Sequence, residues 1–164
     1  TPCTSHSQRA HGMPLAVLLG YGDTRLLQHK QAVIDAKYTV VFGVRSFEPE
    51  ELALLQQLNV RYYTMREIKQ RGLNVCFNEA WRKVLACKNG FGLSIDLDGI
   101  DPMFAPAVSV KEKDGLCWPH LLKSLQQQEI TPKLKAIEVV EFNPYLDRQK
   151  RTLNVIKQLF RAYR

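Results

Sequence analysis

SIDLDGIDPMFAPAV, residues 94–108, is an apolar run that ends in two aspartates one residue apart, with a third leading into a proline. In a β-strand side chains alternate, so Ile95 and Leu97 point one way and Asp96 and Asp98 the other. Both carboxylates are then expected on one face at the strand's C-terminal end, their Cα atoms about 7 Å apart. Two ionised carboxylates that close repel each other and raise one another's pKa. A divalent cation removes that penalty, and oxygen ligands suit hard ions such as Mn²⁺ or Mg²⁺. The competing reading is solvated turn aspartates that cap the loop, with Asp101-Pro102 as ordinary turn chemistry.

Outward from this stretch, short β-rich runs alternate with helical patterns. YTVVFGV (38–44), NVRYYT (59–64), FGLSIDLD (91–98) and LKAIEVVEF (134–142) read as strands. PEELALLQQL (49–58), NVCFNEAWRKVLACK (74–88), WPHLLKSLQQQ (118–128) and RTLNVIKQLFRAY (151–163) read as helices. In the second of these, Val75, Ala80, Val84 and Leu85 fall near helical spacing, and Gly90 follows as a stop. MPLAVLL (13–19) is a helix or a buried strand. The alternation predicts an α/β fold, a mainly parallel sheet with helices on both faces as a three-layer α-β-α arrangement. Ligands in such sheets bind beyond the carboxyl ends of the strands, where Asp96 and Asp98 lie.

A chain of 164 residues is expected to form a single domain, 1–164, with a real core. No apolar stretch approaches membrane-spanning length, and no signal peptide is visible. The first residue is Thr1 rather than methionine, which suggests a processed or trimmed start. Cys3, Cys76, Cys87 and Cys117 lack metal or disulfide-framework spacing, so reduced, packed thiols in the cytoplasm are expected. The net charge of +7 is spread along the chain with no stacking motif, and no nucleic-acid partner is expected. Glu141, at the end of the apolar VVEFNP strand, can hold a cationic group such as a guanidinium through paired hydrogen bonds. It can equally be a strand-end glutamate bound to a nearby base. His11 is suited to proton transfer near neutral pH, or to a structural hydrogen bond. His29 and His120 read as surface residues, and His6 as a possible neighbour of the site.

Together, TSHSQRAHGMP, VVFGVRSFEPEE, SIDLDGIDPMFAP and VEFNP resemble, in order, motifs of the ureohydrolase family of arginases, agmatinases and their relatives. The feel is closest to bacterial-type arginases. The resemblance implies an arginase-like fold and a hydrolase in which metal-bound hydroxide attacks a guanidinium carbon, most directly converting arginine to ornithine and urea. It implies a two-Mn²⁺ centre with Asp96 and Asp98 as metal ligands and Asp101 as a structural aspartate. By the resemblance, Glu141 matches the carboxylate that orients the guanidinium, and His11 the histidine that shuttles a proton to the departing amine. Ser7 matches a serine near the substrate carboxylate, and Glu48 an acidic residue for its α-amino group.

The departures from the family pattern matter as much. The GGDH and DAHxD motifs that supply the remaining ligands are absent from these 164 residues. This chain is therefore read as the C-terminal part of a ureohydrolase-like domain, inactive alone, with a missing N-terminal segment or a homo-oligomeric partner. It would then expose a strand edge at 38–44 or its neighbour. SQR at 7–9 and AVSVKEKDGL at 107–116 depart from the family's substrate-side loops. An agmatinase or other linear-amidine hydrolase is the nearest alternative, and a non-catalytic binding or assembly module the second.

Overall fold

The computed structural model of the protein describes residues 12–22, 24–27 and 34–163. The chain divides into two units, Thr1–Val41 with Ser46–Tyr62, and Phe42–Arg45 with Tyr63–Arg164.

In the first unit, MPLAVLL resolves as helix α1 (Pro14–Leu18), opened by proline at its first turn. Helix α2 (Thr24–Leu27) is a single turn. Ala36–Tyr38 form a 3-10 turn capped by Asp35, whose Oδ1 accepts the Lys37 N–H at 2.8 Å. The residues expected to begin a strand at Tyr38 are thus held in a turn, and β1 (Val40–Val44) starts two residues later. Helix α3 (Pro49–Gln57) begins with a capping box between Glu48 and Glu51, proline at its first turn, and acids at its positive end. Asn59 in the left-handed region then turns the chain into β2 (Arg61–Thr64).

In the second unit, Thr64 ends β2 and starts helix α4 (Met65–Arg71), its Oγ1 accepting the Glu67 N–H at 3.1 Å. Gly72, at φ 91°, lets α4 pass directly into α5 (Leu73–Leu85). The buried stripe of α5 is Cys76, Phe77, Ala80 and Trp81, whereas Val75 is 49% exposed. The spacing of the aliphatics points to a face offset from this one. The aromatics decide it: Phe77 and Trp81, four residues apart, bury more area than any valine can. Lys133 Nζ donates to the Leu85 carbonyl at 2.7 Å and closes the C-terminal end of α5. Gly90, also at φ 91°, enters β3 so tightly that a Cβ there would sit 2.4 Å from the Lys133 oxygen.

Strands β3 (Phe91–Asp96) and β4 (Leu134–Val140) pair in parallel, with Gly92 opposite Ala136 and Asp96 opposite Val140. Both strands therefore end side by side at the same edge. Gly92, Ser94, Ala136 and Glu138 occupy one exposed face of this pair. Among the described residues, β1 with β2 and β3 with β4 form two separate two-stranded sheets. The expected α/β class, with helices between parallel strands, is the one observed, the described strands forming these two pairs. Each strand keeps one edge without a described partner.

The connection from β3 to β4 runs through α6 (Trp118–Gln126), and the chain ends in α7 (Arg151–Ala162). Leu121, Ser124 and Leu125 of α6 are buried, as are Thr152, Val155 and Leu159 of α7. Trp118 Nε1 donates to Gln158 Oε1 at 2.6 Å between the two helices. Asp147 caps α7, accepting the N–H groups of Thr152 at 3.2 Å and Leu153 at 2.8 Å. Cys87 and Cys117 are free thiols, Cys76 is fully buried, and Cys3 lies outside the described residues. No described helix is long and apolar enough to cross a membrane.

Candidate functional site

β3 ends at Asp96, two residues short of the expected Asp98. The Asp96 side chain is the cause: its Oδ1 accepts the Asp98 N–H at 3.1 Å and draws the chain into a 3-10 turn, Leu97–Gly99. A turn, and not strand alternation, therefore brings the two carboxylates together. Leu97 and Ile100, each 1% exposed, anchor the turn in the core on either side of Asp98.

Asp98 is partly buried, while Asp96 is exposed. Burial, then the charge of Asp96, push the Asp98 carboxyl up to about 6; the Arg45 guanidinium opposes the rise, and Glu141 adds to it. Three acids and one arginine thus share one electrostatic neighbourhood. Glu141 reaches it as the first residue after β4, exposed, and in the left-handed region at φ 63°. That conformation costs a non-glycine residue roughly 1–2 kcal/mol. Glu141→Gly is therefore expected to raise stability by about 0.5–1 kcal/mol in urea unfolding, while removing the carboxylate.

The loops around this mouth are tied together by backbone hydrogen bonds. Asp101 Oδ1 accepts the Met103 N–H at 2.9 Å, and the Asp101 N–H donates to the Leu116 carbonyl at 3.0 Å. The Asn143 N–H donates to the Ala107 carbonyl at 2.9 Å, and the Ala107 N–H to the buried Thr152 Oγ1 at 2.9 Å. Asn143 Oδ1 also accepts the Tyr145 N–H at 3.2 Å, turning the chain away just after Glu141. The loop after β3, the loop after β4 and the start of α7 are thereby one hydrogen-bonded assembly.

Arg45, immediately after β1, lies in the VVFGVRSFEPEE stretch, but the sequence assigns it no role. Its Nη2 donates to the Asp98 carbonyl and to the Glu112 carbonyl at 3.1 Å, and its Nη1 to the Gly99 carbonyl at 3.4 Å. The available signal is an arginine closing the apolar run VVFGV, at the same kind of strand end as the aspartates. Gly43, at φ 86°, lets Leu116 pack against β1, since a Cβ there would lie 3.0 Å from Leu116 Cδ1.

Ser7 and His11, with His6 and His29, lie outside the described residues. Glu48 belongs to the first unit, where it caps α3: its N–H donates to Glu51 Oε2 at 3.1 Å. His120 is exposed. Of the expected site residues, the second unit brings together Asp96, Asp98 and Glu141. Among the described residues, no group of three or more His, Cys, Asp or Glu side chains is arranged to hold a metal ion. Asp96 and Asp98 offer oxygen donors whose mutual repulsion a hard divalent cation would relieve, so their chemistry fits such an ion as a partial ligand set.

This geometry defines an α/β protein with an acidic mouth beyond the carboxyl ends of two parallel strands. A family model described as Arginase family matches residues 1–163, and the chain belongs to the arginase family. It is 36% identical over 157 residues to the arginase of Brevibacillus brevis, across 94% of this chain and 53% of that protein. It superposes on the native arginase structure from Bacillus caldovelox with a TM-score of 0.92 at 32% identity, covering 99% of this chain and 55% of that one. The Entamoeba histolytica arginase in complex with L-ornithine gives a TM-score of 0.87 at 26% identity, covering 99% and 55% respectively. The chain thus spans about half the length of the relatives it matches.

Proposed function

We propose that this chain carries part of the active site of a Mn²⁺-dependent hydrolase of guanidino C–N bonds, with arginine as the first candidate substrate and ornithine and urea as products. The observation that carries this reading is the convergence of Asp96, Asp98 and Glu141 at the ends of β3 and β4 in an arginase-family fold. The substrate is supported by the names of the relatives, one of which was captured with L-ornithine, an amino acid that differs from arginine by the amidino group.

Asp96 and Asp98 would hold the cation. Mn²⁺, when bound, polarises a ligand oxygen and lowers the pKa of water toward neutrality. Glu141 accepts paired hydrogen bonds from the guanidinium and fixes its plane. His11 delivers a proton to the departing amine, while Ser7 and Glu48 receive the carboxylate and α-amino ends of the substrate. Two carboxylates are too few to balance two divalent cations. The remaining ligands are therefore assigned to polypeptide outside these 164 residues or to a further copy of the chain. Cytoplasmic location belongs to the same proposal, supported by the free thiols of Cys87 and Cys117.

A second reading is a family member that binds without catalysing, in which Asp96 and Asp98 hold at most one weak ion. Equilibrium titration of the metal-stripped chain with Mn²⁺, together with urea release from arginine and from agmatine, tests the metal and substrate assignments. The expected result is one weakly held ion and no urea from the chain alone. Two tight ions with urea from arginine would show that copies of the chain complete the site. Urea from agmatine only would move the substrate to the decarboxylated amine. No Mn²⁺ uptake at any concentration would overturn the hydrolase reading.

A further inference from the structure

We propose that Arg45 is a positioning residue of the acidic mouth: its guanidinium fork locks the Asp98–Gly99 turn to the 109–114 loop and thereby aims the Asp98 carboxylate. The fork reaches two segments at once, through the carbonyls of Asp98 and Gly99 on one side and Glu112 on the other. Asp98 is consequently pinned on both flanks. Its N–H is held by Asp96 Oδ1 at 3.1 Å and its carbonyl by Arg45, so both peptide planes that set its Cα–Cβ direction are fixed. Gly99 is held doubly, since its carbonyl also accepts the Leu116 N–H at 3.0 Å.

The choice of partners matters. Nη1 and Nη2 are directed to carbonyls, so Arg45 moderates the negative charge at the mouth without occupying the carboxylate oxygens a cation needs. An arginine paired face to face with Asp98 would compete with the metal. Among the described residues, the 109–114 loop has little else to order it. Ser109 through Asp114 are all exposed, and the contact of Asp114 with Lys69 at 2.8 Å is a solvated ion pair of small worth. Planarity is essential to this role, because a lysine ammonium keeps the charge but cannot span three carbonyls in two segments from one fixed plane.

The consequence for metal rests on the Mn²⁺ reading above; the clamp itself does not. Arg45→Lys and Arg45→Met are compared with the parent chain by amide hydrogen exchange and by Mn²⁺ titration followed by electron paramagnetic resonance. Exchange is expected to quicken at 97–99 and 109–114 in both variants, with α5 and α7 unchanged. Mn²⁺ affinity is expected to fall by roughly 10–100-fold, the usual effect of losing an outer-shell partner. A side chain that merely supports the fold would quicken exchange everywhere. Uniform quickening, or no change at the two segments, overturns the clamp. Parent-like exchange in Arg45→Lys alone assigns the effect to charge and overturns the fork. If Arg45→Met does not fold, Arg45→Lys decides. A parent chain that takes up no Mn²⁺ overturns the metal reading, and the exchange pattern then decides the clamp by itself.

Discussion

Asparagine in place of Asp98 is expected to make the metal-free chain more stable at pH 8 and, on the proposed metal assignment, to weaken its uptake of Mn²⁺. The native state places Asp98 where ionisation is disfavoured, by burial first and by the Asp96 charge second, and its pKa rises to about 6 from an ordinary 3.8. A carboxyl whose folded pKa is raised favours the folded state below pH 3.8, where it is protonated in both states. That advantage is lost as pH rises through about 6, because the folded chain must then carry an ill-placed charge. The asparagine side chain has the same shape and no charge, so the penalty vanishes only where the aspartate would have been ionised. Urea midpoints should favour Asp98→Asn at pH 8 and converge with the parent below about pH 4. With Asp98 as the proposed ligand, affinity for Mn²⁺ should fall by more than the roughly 10–100-fold typical of losing a residue that only supports a ligand, because an amide oxygen replaces a carboxylate. Equal destabilisation at both pH values would contradict the placement of Asp98. Unchanged Mn²⁺ affinity would contradict its role.

The same residue shows how far sequence carries the argument. Its approach to Asp96 is legible, because D-x-D at the end of an apolar run brings two carboxylates to a strand end under any local geometry. The means is not. Period-two alternation assumes an extended backbone, but an aspartate at the end of a strand is itself a turn-former, and Asp96 bends the chain before Asp98. Helix α4 escapes the sequence reading for a related reason. MREIKQR is too polar for hydrophobic periodicity to flag it, although Thr64 and Glu67 stand at capping-box spacing. Arg45 stands in a legible motif, but its contacts cannot be found from pattern alone. Its partners are backbone carbonyls of Asp98, Gly99 and Glu112, and carbonyls are present at every position of every sequence.

The largest effect on stability is expected from Trp81→Ala, at about 3–5 kcal/mol. Trp81 is 5% exposed. It stacks on Phe77 at 5.7 Å between ring centroids and meets Phe91 edge-on at 5.2 Å. The series continues from Phe77 to Phe42 at 5.8 Å and from Phe42 to Tyr63 at 5.3 Å. One row of rings therefore joins β1, β2, α5 and β3, and Trp81 is the link to Phe91, the first residue of β3. Truncation leaves a void that two rings on separate elements cannot close together, which is why the cost belongs at the upper end for a core residue. It is a large share of the roughly 5–15 kcal/mol that holds a domain folded. Trp81→Phe keeps a ring against both neighbours and should lose less than half as much in urea unfolding. Phe91 and Asp96 are the two ends of β3, so this substitution also asks whether the mouth depends on the strand's beginning. The turn at Asp98 is held by its own hydrogen bonds and by the buried Leu97 and Ile100, so the folded fraction of Trp81→Phe should bind Mn²⁺ like the parent. Weaker binding there would mean that the ring row helps to aim the carboxylates.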